Sequence, residues 1–408
     1  MKKFERTMSL TLIILATICV AADHPGAQQG TSASGFKKIV LDDKFYCEGI
    51  HLADINKDGH LDVIAGPFWH EGPDFQVHHE YTDVQAIDPE AYSQFFFIFP
   101  GDFNGDGWTD ILAVGFPGAE AFWYENPQGK DGPWKKTLAI TQVGNESPVL
   151  VDLPGNSQPV LLHVKDGLVG WSYYDVKNPY SQWKFHPISS PQDNLKRTGH
   201  GIGYGDITGN GFRNGVIVSE GWFEAPDDIN AAKPWKFHPF DFADAAAQML
   251  VFDIDGDGLC DVVTSWHCHH YGLLWYRQIR GADGQITWEK HEILPVKPDM
   301  DSDALRITQL HAFDVADFNG DGRMDFVTGK RKWAHGSKGD SEPNAPFVLY
   351  WFENTKDANG QAVFVPHWID DQSGVGTQVT VGDVNGDGKP DILSGNKNGI
   401  FVFFNEQN

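Results

Sequence analysis

Five stretches of this 408-residue sequence repeat one acidic pattern, Asp-x-Asn/Asp-x-Asp-Gly-x-x-Asp. They are DINKDGHLD (54–62), DFNGDGWTD (102–110), DIDGDGLCD (253–261), DFNGDGRMD (317–325) and DVNGDGKPD (383–391). Two weaker copies, DLPGNSQPV from Asp152 and DITGNGFRN from Asp206, lie between the second and the third. Successive copies start 48, 50, 54, 47, 64 and 66 residues apart. Seven units of about 50 residues therefore fill most of the chain, as in repeat architectures.

Each unit continues with short β-branched and aromatic segments in a constant order. In the second unit, DILAVG (110–115) follows the acidic loop, and FWYEN (122–126) and WKKTLAI (134–140) come next. Gly, Asn and Pro separate such segments, and no long helical period is present. Four antiparallel strands repeated seven times predict an all-β fold, a seven-bladed β-propeller.

The two ends of the repeat region predict how the ring closes. The last unit stops after its third strand, IFVFFNE (400–406), whereas GFKKIVLDD (35–43) reads as a strand without a blade. Pairing the two segments would remove both open sheet edges. We therefore predict one propeller over residues 35–408, closed by an N-terminal strand that completes the last blade.

The first residues have the composition of a targeting segment. Lys2, Lys3 and Arg6 precede a short apolar run, and Val20-Ala21-Ala22 offers a small-residue cleavage site. This pattern predicts a signal peptide over 1–22, followed by a flexible leader over 23–34. The apolar run is too short for a comfortable membrane span. We expect export, to the periplasm, the cell surface or the medium.

Charge narrows the range of partners. The chain has 31 Lys and Arg against 56 Asp and Glu, a formal net charge of -25. Binding to a nucleic-acid backbone requires clustered cations, so the composition argues against a nucleic-acid partner.

The acidic loops have the composition of calcium sites. Oxygen side chains at positions 1, 3 and 5, a carboxylate at position 9 and a backbone carbonyl can surround one hard cation, and Gly at position 6 permits the tight turn. The alternative is that Asp, Asn and Gly only turn the chain. The loops resemble those of the FG-GAP/VCBS-repeat family, and this resemblance implies about five Ca²⁺ ions at the strand turns. The implied ligands are Asp54, Asn56, Asp58, Asp62, Asp102, Asn104, Asp106, Asp110, Asp253, Asp255, Asp257, Asp261, Asp317, Asn319, Asp321, Asp325, Asp383, Asn385, Asp387 and Asp391.

A second site is expected on the opposite face of the disc, where the first strand of each blade begins. The residue six positions before each loop should lie near the central channel; these residues are Glu48, Phe96, Glu146, His200, Ala247, His311 and Thr377. Glu and His are acid–base groups and metal ligands. We predict catalytic roles for Glu48, Glu146, His200 and His311, and for Lys330 and Arg331 from a basic run on the same face.

Loops on that face contain further candidates. Trp69, His70, His163, Trp266 and Trp333 are predicted to bind substrate. In an extended segment, His267 and His269 would point the same way and could share a transition metal such as Zn²⁺. A packed polar loop is the alternative for this pair.

The acidic loops, the WYEN-like third strands and the His-rich mouth together resemble the propeller domain of the aldos-2-ulose dehydratase family, which eliminates water from keto-sugars. The resemblance implies a lyase acting on carbohydrate, in which His or Glu removes a proton next to a carbonyl group. A non-catalytic carbohydrate- or protein-binding propeller, of the lectin or adhesion type, is the alternative. The residues expected around the channel on this face differ from blade to blade, which favours one central site over a repeated lectin pocket.

Overall fold

A computed structural model describes residues 35–130, 132–193, 195, 199–212 and 214–407. The predicted signal peptide and leader lie outside the described residues, so export stays a prediction. The described part forms seven four-stranded antiparallel sheets and one short 3₁₀ turn, Pro191–Asp193. This architecture confirms the predicted all-β propeller. No helix in the described ranges is long and apolar enough to cross a membrane.

The first four blades follow one another along the chain. From the inner to the outer strand, the first blade consists of β2 (Ile50–Ala53), β3 (Asp62–Ala65), β4 (Phe68–His70) and β5 (His78–Glu80). The second blade consists of β6 (Phe97–Gly101), β7 (Asp110–Val114), β8 (Ala119–Glu125) and β9 (Lys135–Val143). The third consists of β10 (Val149–Val151), β11 (Val160–Lys165), β12 (Leu168–Tyr173) and β13 (Lys184–Pro187), and the fourth of β14 (Ile202–Gly205), β15 (Gly215–Val218), β16 (Gly221–Glu224) and β17 (Lys236–Pro239).

The last three blades include the ring closure. The fifth blade consists of β18 (Leu250–Phe252), β19 (Asp261–Ser265), β20 (Leu273–Arg280) and β21 (Ile286–Leu294). The sixth consists of β22 (Leu310–Ala316), β23 (Asp325–Lys330), β24 (Leu349–Lys356) and β25 (Ala362–Asp370). The seventh consists of β26 (Val379–Gly382), β27 (Asp391–Asn396), β28 (Gly399–Asn405) and β1 (Phe36–Asp42). The N-terminal strand β1 pairs with β28, with Phe36 opposite Asn405 and Ile39 opposite Val402. The predicted closure is therefore present.

The inner strands surround a central channel. They line a cavity of about 590 Å³, whose walls include His51, Tyr204, Gln248 and Asp314. Apolar side chains fill the space between neighbouring blades; one such cluster joins Trp171 of the third blade to Phe223 of the fourth. Since every blade buries one face against each neighbour, the stability of the ring depends on closure.

The recurring Trp and His residues of the outer strands have a packing role. Trp171 stacks on His186 with ring centroids 4.3 Å apart, and Trp222 stacks on His238 at 4.1 Å. His238 Nε2 in turn lies 2.8 Å from a carboxylate oxygen of Glu224. These stacks join the third strand of a blade to the fourth, which explains why the pair recurs with the repeat.

Closure by β1 can be tested at Phe36, which is 2% exposed and contacts Phe318 of the preceding blade edge-to-face at 6.0 Å. We expect Phe36→Ala to lower the free energy of unfolding by about 3–5 kcal/mol, because it leaves a cavity in the core. Val40→Ala, on the same strand but 52% exposed, should change it by less than about 0.5 kcal/mol. Urea unfolding followed by Trp fluorescence measures both, and equal effects would contradict a packed closing strand.

Candidate functional site

Four acid–base side chains from four blades meet where the inner strands begin. Glu48, Glu146 and His200 precede β2, β10 and β14, and His311 is the second residue of β22. One oxygen of Glu146, Oε2, lies 3.9 Å from His200 Nδ1 and 3.7 Å from His311 Nε2. The repeat places these four residues together because each lies six positions before the acidic loop of its blade.

Arg331, which directly follows β23, holds the two glutamates. Its Nη2 and Nε donate to Glu48 Oε1 at 2.7 and 3.1 Å, and its Nη1 donates to Glu146 Oε2 at 3.1 Å. The guanidinium lies 5.3 Å from the ring centroid of Phe96, another residue of the inner column. Arg331 and Glu48 are almost fully buried, so losing either partner would leave a buried unpaired charge, which typically costs about 3–5 kcal/mol.

A cluster with metal-ligand geometry adjoins these ion pairs. His200, Cys268 and His269 each offer a ligand atom, and the three atoms lie within 4.8 Å of one another. His200 Nε2 is 3.3 Å from His269 Nε2, and Cys268 Sγ is 3.5 Å from His200 Nδ1. Burial lowers the pKa of His200 and lowers that of His269 to about 2. Both imidazoles are therefore neutral at pH 7 and keep a nitrogen lone pair.

His311 presents a free lone pair to the same space. Its Nδ1 donates to the carbonyl of Gln309 at 3.1 Å, which assigns the proton to Nδ1. Its Nε2 is buried and has no hydrogen-bond partner among the described residues. Burial, followed by the charge of Arg331, holds the pKa of His311 well below its usual value. The unprotonated Nε2 can therefore act as a metal ligand or accept a proton.

The cluster opens to solvent through His335, which is 59% exposed on its side chain. Its Nδ1 lies 2.8 Å from Asp340 Oδ1, and the same oxygen lies 3.6 Å from His269 Nδ1. His269, His335 and Asp340 form a second group of possible ligands within 4.8 Å. Lys330 is buried nearby, donates to Thr308 Oγ1, and has its pKa lowered to about 8 by burial.

The two histidines predicted to share a metal do not belong to one cluster. Residues 266–270 form a turn, in which the amide of His270 donates to the carbonyl of His267 at 2.9 Å. The alternation expected of an extended segment therefore does not apply. His267 faces Asp244, 4.0 Å away, and belongs to none of the ligand groups of the described chain. Cys268, which was not predicted as a ligand from the sequence, faces His200 instead.

The predicted substrate-binding residues lie in packing positions. Trp69 stacks on His79 at 4.1 Å, and His70 is buried beside His78. His163 is buried with Nε2 2.7 Å from Ser172 Oγ. Trp266 lies under Lys290 Nζ at 4.6 Å, and the Trp333 indole donates to the carbonyl of Pro343 at 3.1 Å. The structure brings none of these five side chains into the acid–base cluster, and their role in substrate binding stays a prediction.

The acidic loops divide their side chains between two tasks. In the second loop, Asp102 accepts backbone hydrogen bonds from Gly105, Asp106 and Gly107 at 2.7–3.1 Å, which shapes the turn. Asp110, at position nine, is fully buried and accepts the amides of Phe103 and Asn126 at 3.0 and 2.8 Å.

The same buried bridge recurs at Asp62, Asp261, Asp325 and Asp391. Burial raises the pKa of Asp110, Asp261 and Asp325 to about 7, and that of Asp62 and Asp391 to about 6.

These loops can accommodate a cation. In the fifth blade, the carboxylates of Asp253, Asp255 and Asp257 come within 4.8 Å of one another. Each bridging carboxylate oxygen keeps a second lone pair, so the position-nine residues could also contribute a ligand. Oxygen-rich sets of this kind suit Ca²⁺.

Comparison with known families agrees with the repeat structure. Residues 98–130 and 375–407 match the FG-GAP repeat, and residues 253–328 match the FG-GAP-like repeat. The chain therefore contains FG-GAP repeats, and it folds them into a seven-bladed β-propeller.

No curated protein matches the chain in sequence. Among solved structures, it is similar to a lectin from Agrocybe aegerita described as recognising non-reducing terminal N-acetylglucosamine, with 16% identity, 76% of this chain and 80% of that chain covered, and a TM-score of 0.40. This likeness is too low to support an inference about function.

The two tasks of the acidic loops can be separated by two substitutions in the second loop. Asp110→Asn should lower the free energy of unfolding by about 1–3 kcal/mol with or without calcium, because an amide cannot accept a backbone N–H at both of its terminal atoms. Asp106→Asn changes an exposed position and should matter only when calcium is present. Thermal melts in calcium and in EGTA measure both effects. A wild-type melting temperature that is the same in calcium and in EGTA would contradict the calcium sites. An Asp110→Asn variant as stable as the wild type would contradict the buried bridge.

Proposed function

We propose that the central cluster is the active site of a metal-assisted carbohydrate lyase, which removes a proton next to a carbonyl group and expels a hydroxyl group as water. The observation that carries this proposal is that Glu48 and Glu146 converge on the buried Arg331, while Glu146 also lies against His311 and against His200 of the His/Cys ligand cluster. Calcium in the acidic loops on the opposite face would stabilise the blades and take no part in the reaction.

The residues present fit a transition metal. His200, Cys268 and His269 supply the nitrogen and sulfur ligands that Zn²⁺ prefers. Nδ1 of His269, a member of this set, is a buried polar atom without a hydrogen-bond partner among the described residues, and the Nε2 lone pair of His311 stays available for proton transfer. A bound ion of this type would polarise the substrate carbonyl and so acidify the neighbouring C–H.

The side chains around the ligand set can carry out the proton transfer. Neutral His311 Nε2 accepts the proton, and the adjacent carboxylate of Glu146, 3.7 Å away, stabilises the imidazolium that forms. The electron pair left on carbon forms the double bond as the C–O bond at the next carbon breaks. The proton leaves with the hydroxyl group as water. Arg331 uses its donors on the two glutamates, so its role is to position Glu146 and Glu48.

A binding module without turnover is the competing hypothesis, and metal content and turnover together distinguish the two. After dialysis against chelator-free buffer, elemental analysis should find about one zinc or other transition metal per chain beside any calcium. Cys268→Ser should reduce this content, whereas His267→Gln, a neighbouring control outside the ligand groups, should not.

The reaction is followed by the ultraviolet absorbance of the unsaturated carbonyl product formed from hydroxy-carbonyl sugars. His311→Gln should keep its fold and lose at least about 100-fold in kcat, as expected when a general base is removed. Sugar binding without turnover in the wild type would leave the binding module as the better hypothesis. Metal-free wild-type protein would overturn the ligand set.

A further inference from the structure

Two lysines beside the central cluster are buried without an ion-pair partner. Lys397 is 4% exposed and Lys330 is 1% exposed, and neither has a carboxylate oxygen within 4.0 Å among the described residues. Lys397 Nζ donates to the backbone carbonyl of Trp333 at 3.1 Å and otherwise faces aromatic rings, 4.8 Å from the ring centroid of Tyr92 and 5.7 Å from that of Phe45. A buried ammonium is costly unless it is paired, which is unexpected in a protein with so many carboxylates.

Lys397 belongs to the edge of the active site. It lies in the turn between β27 and β28, and its charge interacts with those of Glu48 and Arg331. Its Nζ is 4.8 Å from the ring centroid of Tyr92. Lys397 therefore approaches the cluster from the seventh blade, whereas the histidines come from the fourth to sixth blades.

An aromatic edge connects Lys397 with solvent. Tyr92 and Phe116 are 36% and 43% exposed, and their ring centroids are 4.7 Å apart. Phe116 also contacts Phe96 at 5.5 Å, the ring that lies against Arg331. Exposed aromatic rings beside polar groups are the usual means of holding a sugar ring.

The charges of the cluster balance before any ligand binds. Glu48, Glu146 and Asp340 contribute three negative charges, and three positive charges come from Lys330, Arg331 and Lys397. Burial lowers the pKa of His200, His269 and His311, so these three imidazoles are neutral at pH 7. A divalent metal bound by His200, His269 and the Cys268 thiolate would therefore leave one excess positive charge in a low-dielectric site. An anionic substrate would remove this excess.

We propose that the substrate is an acidic sugar, with its carboxylate at Lys397 and its ring against Tyr92 and Phe116. This rests on the proposed lyase function and specifies its substrate class: the carbonyl group next to the abstracted proton is that of a uronate. Lys397 then stabilises the negative charge that develops on the carboxylate as His311 takes the proton, and the leaving oxygen at the next carbon departs with that proton.

The test compares a D-glucuronate oligosaccharide with the neutral glucose oligosaccharide of equal length, by calorimetry and by turnover. Wild-type protein should bind the glucuronate chain at least about tenfold more tightly, and Lys397→Met should abolish this preference. Lys165→Met, which removes a half-buried lysine that donates to Thr141 on the same face, should leave it unchanged, and thermal melts confirm that both variants fold.

Equal affinity for the two sugars, or a preference that survives Lys397→Met, would overturn the acidic-sugar inference. Turnover of neutral hydroxy-carbonyl sugars would then leave the lyase proposal standing. A protein that holds no transition metal and turns over neither sugar class would overturn both.

A separate observation concerns the acidic loop of the fifth blade, residues 253–261. In the second and sixth blades, a glutamate on the third strand faces loop position three: Asn104 Nδ2 donates to Glu125 at 3.4 Å, and Asn319 Nδ2 donates to Glu353 at 3.3 Å. At the same strand position the fifth blade has Arg277, and loop position three is Asp255. Both residues of the pair have therefore changed together.

Arg277 lies among the carboxylates that would bind a cation. Its Nε donates to Asp255 Oδ2 at 2.5 Å, and its Nη2 donates to Asp257 Oδ2 at 3.4 Å. These are loop positions three and five. The guanidinium thus already supplies part of the positive charge that the three aspartates of this loop require.

We infer that Arg277 competes with calcium, so that the acidic loop of the fifth blade is the weakest of the five calcium sites. Calorimetric calcium titration should resolve four tight sites and one site at least about tenfold weaker, a difference in the range that ligand charge produces in such loops. Arg277→Gln should tighten that site. Arg280→Gln, on the same strand but bonded to Gln278 and to the carbonyl of Ile207, should not. Identical titrations of the wild type and Arg277→Gln would overturn the inference, whatever the number of sites.

Discussion

The buried carboxylate at position nine of each acidic loop is the interaction on which the blade geometry depends. One oxygen of Asp391 accepts the amide of Val384 inside the loop, and the other accepts the amide of Asn405 at the end of the third strand. The side chain thereby joins the loop to a strand that is its neighbour only in the folded sheet. Because five blades share this bridge, their inner strands begin at equivalent positions around the ring. Of the central cluster, Glu48 and His311 come from blades with this bridge, whereas Glu146 and His200 come from the third and fourth blades, whose loops have Val160 and Asn214 at position nine.

Closure of the ring brings the beginnings of the inner strands together and so forms the central cluster. Glu48 comes from the first blade and Arg331 from the sixth, 283 residues apart, yet they form a buried ion pair. Such a pair contributes little net stability, since desolvation offsets much of the attraction. Its effect is geometric: a planar guanidinium with fixed donor directions holds two carboxylates in place. One of these, Glu146, lies against His311, so the arginine also sets the environment of the proposed base.

The agreement between sequence and structure differs between strands and loops, for a physical reason. The inner column could be predicted because the loop motif fixes the strand register, and a residue six positions before the motif must lie at the strand start. Glu48, Glu146, His200 and His311 were found in this way. The loops on the same face have no repeated spacing. The extended conformation expected for residues 267–269 is in fact a turn, which brings Cys268 into the cluster and turns His267 towards Asp244.

The amino-acid sequence by itself determined the number of blades, the positions of their strands, the acidic loops and the ring closure, because these features depend on local spacing repeated along the chain. Only the tertiary structure decided which side chains meet at the centre. Lys397, Tyr92 and Asp340 have no sequence pattern in common with His200 or Glu48, and they approach the cluster from different blades. Their proximity results from closing the ring, a constraint that acts between segments hundreds of residues apart and that no local pattern records.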